Sequence, residues 1–145
     1  MPPVAASVAA ARHQARDILE QWSDGSRDDE ILLMLNELAA NAVQHARSPF
    51  SVHLTLTTER RRPTASRTDH PDRRDRTDRQ DRRFVCGVDD LDPRPPQLQP
   101  PCPDTVDALG GRGMHLIDQL ADTWGVTQHP HDGKTVWFEI LIPAL

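Results

Sequence analysis

Apolar residues recur along this chain with two different periods. Val8, Ala11, Ala15, Ile18, Leu19 and Trp22 are mostly three or four positions apart, which predicts an amphipathic helix over 5–22. Ser23-Asp24-Gly25 ends it. Ser26, with Asp29 three positions on, has the form of a capping box for a second helix. That helix is expected to run to about Arg47 and to stop at Ser48-Pro49. The period then changes to two. Val52, Leu54 and Leu56 alternate with Ser51, His53 and Thr55, and Phe84, Cys86 and Val88 alternate in the same way, which predicts two neighbouring half-buried strands. Gly110-Gly111-Arg112-Gly113 opens a third helix, with Leu116, Ile117, Leu120, Ala121 and Trp124 on one face. Two strands close the pattern, around 125–128 and 134–142, joined by a turn containing Asp132-Gly133. Trp124 and Trp137 are both read at core parity. The order α, α, β, β, α, β, β predicts a two-layer α/β (α+β) sandwich, with the helices on one face of a mostly antiparallel mixed sheet.

Composition narrows this picture. The 145 residues suit a single domain, and no apolar run approaches the roughly 20 residues of a membrane span. Val4 to Ala11 is apolar, yet no basic stretch precedes it and Arg12-His13 follows, so no signal peptide is expected. Cys86 and Cys102 provide neither a disulfide scaffold nor metal-ligand spacing. A soluble, reduced, cytoplasmic protein with no membrane partner is the expectation. The net charge of -5 is unevenly spread, because residues 60–83 carry ten Arg and five Asp. With almost nothing to bury, that run reads as a disordered, solvated loop at a hairpin tip. Binding of nucleic acid through it ranks behind, since it contains no aromatic residue and the rest of the chain is acidic. Sixteen arginines against one lysine read as a composition bias without assigned function.

Three segments carry candidate chemistry. On the second helix Glu37 and Asn41 are four apart and share one face at the margin of the apolar arc, and His45 continues the row. A carboxylate and an amide stacked at the edge of a core can hold one hard cation and still reach a reacting proton. The plainer reading is an exposed polar edge. At the end of the second strand, parity places Asp90 with Phe84, Cys86 and Val88, and Asp89 with Val85 and Gly87. An inward Asp90 needs hydrogen-bond donors, which a purine amino group would supply; at a strand end it is equally free to turn to solvent. The Gly-Gly-Arg-Gly turn allows close approach of backbone to phosphate oxygens, although it is neither a dinucleotide fingerprint nor a P-loop. His129 and His131 flank a turn and read as surface residues, as does His115 on its helix.

In this order the pieces resemble the Bergerat-fold ATPase superfamily of histidine kinases, Hsp90 and gyrase, and more narrowly the anti-sigma-factor serine kinases and related ATP-binding regulatory proteins of actinobacteria. Glu37-Leu-Ala-Ala-Asn41-Ala-Val-Gln-His45 is similar to that family's N box. Val88-Asp89-Asp90 and Gly111-Arg-Gly113-Met-His-Leu-Ile are similar to its two glycine boxes, and 121–126 with 133–138 to its closing strands. The resemblance implies ATP and Mg²⁺ as ligands. Asn41 would hold the metal, Asp90 would accept from the adenine amino group with Thr135 lining that pocket, and Gly111 and Gly113 would wrap the phosphates. Glu37 would act as general base on a substrate serine or threonine hydroxyl. Implied partners are a small anti-sigma-factor antagonist protein and a sigma factor, with pairing of two copies through the helix-bearing face. Two features depart from the pattern: Asp92 stands where the family often has glycine, and the lid, Pro93 to Leu109, is short and rich in proline. They motivate a second expectation, a non-catalytic ATP-binding interaction module of the same fold.

Overall fold

A computed structural model of the chain describes residues 1–59, 81–96, 113–131 and 133–142. Helix α1, Ala5–Trp22, buries Ser7, Ala11, Ala15 and Leu19, a row spaced four apart whose small members let it lie close against the next helix. Helix α2, Asp28–Asn41, buries Ile31, Leu32, Met34, Leu35, Leu38 and Ala39. The expected capping box does not form. The Ser26 hydroxyl donates to Asp24 Oδ1 at 2.6 Å, Arg27 occupies the cap position, and no side chain caps the helix. Asp28, Asp29 and Glu30 in the first turn instead place negative charge beside the helix's positive end.

The second helix also ends differently from the expectation. After Asn41 the chain makes one π-helical turn, Ala42–Ala46, and stops at Arg47, whose φ of 49° is left-handed and whose N–H donates to Ala42 O. A π turn inside a helical run re-aims the side chains around it and is common at functional sites.

The four strands are β1, Ser51–Glu59; β2, Asp81–Asp90; β3, Thr123–His129; and β4, Gly133–Ile142. They form one sheet in the order β1-β2-β4-β3, and all three pairings are antiparallel, so the expected mixed character is absent among the described strands. Helix α3, Gly113–Leu120, lies between β2 and β3 in sequence. Register sets Leu54, Cys86, Phe138 and Trp124 in one cross-strand row, and Leu56, Phe84 and Ile140 in the next. Phe84, Cys86, Phe138 and Ile140 are fully buried against Ile31, Met34, Leu35 and Ile117. Each such side chain stabilises the fold by about 1.5–3 kcal/mol. The architecture is the α+β two-layer sandwich that the pattern predicts.

Two further expectations change. β2 begins at Asp81, so the last three residues of the Arg/Asp-rich run are strand. Arg82 reaches α1, where Nη1 donates to Trp22 O, and Arg83 pairs with Glu139 across to β4 at 3.1 Å. The rest of that run, and most of the proline-rich segment with Cys102, lies outside the described residues. Trp137 is not at core parity. It stands on the outer face of the sheet over Gly125, where a Cβ would lie 2.7 Å from its ring, whereas Trp124 packs inward. Among the described residues no helix is long and apolar enough to cross a membrane.

Gly133 opens β4 with φ +88°, and a Cβ there would lie 2.0 Å from Asp90 O. Its lack of a side chain lets β4 start hard against the end of β2. Gly133→Ala is therefore expected to lower the unfolding free energy by at least about 2 kcal/mol in denaturant titration. An unchanged midpoint would show that the two strand ends are not held at this distance.

Candidate functional site

The end of β2, the start of β4 and the last turns of α2 enclose a cleft of about 630 Å³. That is within the roughly 300–1,000 Å³ of small-molecule sites. Its walls divide by chemistry. Leu38, Val88, Met114 and Val136 supply an apolar floor suited to a flat ring, while Asn41, Asp90, Asp92, Arg94 and Lys134 line it with polar groups. Thus two of the predicted residues, Asn41 on α2 and Asp90 on β2, share one cavity. Helical spacing and strand parity bring them there from opposite layers.

Glu37 and Asn41 sit one turn apart on α2 and face the start of α3 at Gly113. A Cβ built on Gly113 would lie 2.8 Å from Glu37 Oε2, 3.4 Å from its Cβ and 3.6 Å from Asn41 Nδ2. A side chain at 113 would displace the Glu37 carboxylate, so glycine here keeps that carboxylate in place and the helix start close to it. Burial raises the Glu37 pKa above the ordinary carboxylate value. A carboxylate so shifted is better matched to proton transfer near neutral pH.

At the other end of the cleft, Asp90 is 6% exposed and points inward, as strand parity predicts. Its Oδ1 accepts from Lys134 Nζ at 2.9 Å and from Asp92 N at 2.8 Å. Lys134, 5% exposed, also donates to Asp92 O at 2.8 Å. Among the described residues no donor reaches Asp90 Oδ2. Asp92 faces Arg94, whose Nε and Nη2 grip both carboxylate oxygens at 2.8–3.1 Å. The Arg94 guanidinium holds the Asp92 pKa down to about 2, and Asp92 in turn raises that of Arg94. The extra carboxylate beside the cleft is thus neutralised by its own neighbour.

Thr135 does not reach the cleft. It faces the outer side of the sheet, where its hydroxyl donates to Asp89 and meets His129 Nε2 at 2.6 Å. His53 Nε2 completes that outer group at 2.5 Å from Asp89. The polar β4 residue lining the cleft is Lys134, which the sequence reading does not single out. The signal is present in the chain: Val136, Phe138 and Ile140 fix the parity of β4, and Lys134 shares it. His45 also lines the cleft, displaced from the simple helical row by the π turn. Gly111 lies outside the described residues. His131 is exposed, and His115 pairs with Gln119 one turn on along α3.

A family profile described as histidine kinase-like ATPase domain matches residues 1–140. No curated protein matches the chain significantly.

Because burial raises the Glu37 pKa, the folded state holds this proton more tightly than the unfolded chain. Stability from this group is then greatest below its unfolded pKa and falls as pH rises through the folded one. Glu37→Gln is expected to melt at a higher temperature than wild type at neutral pH, with the gap closing in acid. A variant less stable than wild type at neutral pH would show that the ionised carboxylate has partners that stabilise it.

Proposed function

The chain belongs to the histidine kinase-like ATPase domain family, and from that premise we propose that it binds Mg·ATP in the cleft and transfers the γ-phosphoryl group to a serine or threonine of a small antagonist protein, in the manner of an anti-sigma-factor kinase. The observation that carries this reading is that Asn41 and Asp90 line one cleft over an apolar floor, with Glu37 and Gly113 packed together beside Asn41. The residues suit the ligand. Adenine needs an apolar slot and an acceptor for its amino group, which the floor and Asp90 Oδ2 offer. Phosphates need close approach of backbone, which Gly113 permits at the start of α3.

Asn41 would hold the magnesium ion, which supplies neutralisation of phosphate charge; one protein oxygen suffices because this ion usually keeps several waters and the phosphate oxygens. In the transfer, the substrate hydroxyl oxygen forms a bond to the γ-phosphorus while the bond from that phosphorus to the β,γ-bridging oxygen breaks and ADP leaves. Glu37 takes the hydroxyl proton. Little else is required of the protein in phosphoryl transfer beyond positioning and charge. The antagonist protein, a sigma factor as second partner and a cytoplasmic setting belong to the same proposal.

One observation favours a second reading, a non-catalytic ATP-binding module. Asp92, a second carboxylate just past the end of β2, lines the cleft together with its partner Arg94. The two readings part at Glu37. With labelled Mg·ATP and candidate antagonist proteins, Glu37→Gln is expected to retain nucleotide binding and to lose about 10²–10⁴-fold in transfer rate. Transfer unchanged in this variant would remove Glu37 from the chemistry, and nucleotide binding without transfer to any partner would favour the second reading. In calorimetric titration Asp90→Asn, which keeps Oδ1 for Lys134, is expected to weaken Mg·ATP by about tenfold or more. Equal affinity in this variant and the wild-type protein would place the base elsewhere.

A further inference from the structure

Lys134 is the sole lysine of a chain that carries sixteen arginines. It is also one of the most buried charged residues, 5% exposed, and lines the cleft beside Asp90. In a chain so rich in arginine, the cation at this place is a compact ammonium and not a planar guanidinium. The two groups differ in kind: arginine offers a flat fork suited to carboxylates, lysine a point charge with three donors diverging from one atom. Two of those donors are used. One goes to Asp90 Oδ1 at 2.9 Å and one to Asp92 O at 2.8 Å. Among the described residues the third has no acceptor. A structural staple between β4 and the end of β2 requires only the first two.

The third donor lies beside Asp90, whose Oδ2 likewise has no partner among the described residues. Both residues line the cleft with Val88 and Val136, so a donor and an acceptor on adjacent groups stand at its wall. An adenine edge carries the complement, an amino donor at N6 next to an acceptor at N1. Resting on the reading that the cleft takes ATP, we propose that Lys134 is a second base-reading residue: its free N–H donates to adenine N1 while Asp90 accepts from the N6 amino group. Lysine then determines specificity directly, by reading an acceptor on the base, and not only by holding Asp90.

The experiment is a calorimetric comparison of Mg·ATP with Mg·1-deaza-ATP, which lacks the N1 acceptor but keeps the amino group and triphosphate. Mg·GTP is titrated alongside. Wild-type protein is expected to bind 1-deaza-ATP about ten- to a hundredfold more weakly than ATP, as befits a lost charged hydrogen bond. In Lys134→Met that ratio is expected to fall to near one. Lys134→Gln, which keeps a donor, should retain part of it, and a melting curve for each variant establishes that it is folded. A ratio unchanged in Lys134→Met would overturn the assignment and leave lysine a staple. If neither lysine variant folds, the wild-type ratio still decides: equal binding of ATP and 1-deaza-ATP overturns the proposal. Tighter binding of GTP than ATP would overturn it too, giving the same donor and acceptor to guanine O6 and N1–H. Failure of wild-type protein to bind ATP at all would sink the ATP reading itself, an outcome distinct from ATP binding without the N1 dependence.

Discussion

Asp90 and Lys134 form a buried ion pair at 2.9 Å where β2 ends and β4 begins, and the arrangement of the cleft depends on it. Removing either charge from water costs several kcal/mol, and the pair is tolerable only because each partner finds the other and further hydrogen bonds besides. Leaving one of them alone would cost about 3–5 kcal/mol. The pair therefore fixes more than two side chains. It sets the start of β4 against the end of β2, an approach that Gly133 makes sterically feasible. Through the Asp92 carbonyl and N–H it also sets the direction in which the chain leaves β2. The wall of the cleft that carries its charge is thus determined by one electrostatic contact, while its floor is determined by the same apolar packing that forms the core.

The alternation of the sheet separates functions that adjacent residues would otherwise confuse. Asp89 and Asp90 are neighbours in sequence, yet one joins His53, Thr135 and His129 on the outer face and the other faces the helices. Thr135 and Lys134 divide in the same way. Only the inward member of each pair can act in the cleft. The helical layer contributes through a different rule, the four-residue step that stacks Glu37 on Asn41, and the absent side chain of Gly113 is what lets the third helix begin close against them.

Much of this is legible in the sequence because it follows from period alone. The α1 boundaries, the inward parity of Phe84, Cys86, Val88 and Asp90, and the shared face of Glu37 and Asn41 all come from spacing. What escapes does so for physical reasons. Ser26 has the sequence neighbours of a cap, whereas Asp24 captures its hydroxyl. The start of β2 is hidden because Arg82 and Arg83 belong by composition to the charged run, whereas in the fold they pair with Thr58 and Thr57 of β1 and with Ile142 and Leu141 of β4. The π turn after Asn41 has no signature in the apolar pattern. Thr135 enters the cleft only by resemblance, against the parity that Val136 and Phe138 impose, and the same oversight conceals Lys134.

The most direct measurement is a map of backbone amide chemical shifts in uniformly ¹⁵N-labelled protein as Mg·ATP is added. A nucleotide gripped between α2, the end of β2 and the start of β4 predicts saturable changes centred on Asn41, Val88, Asp90, Gly113 and Lys134, with His53, Gly125 and Trp137 on the outer face little moved. Changes confined to the outer face, or none at millimolar nucleotide, would contradict the assignment of this cleft.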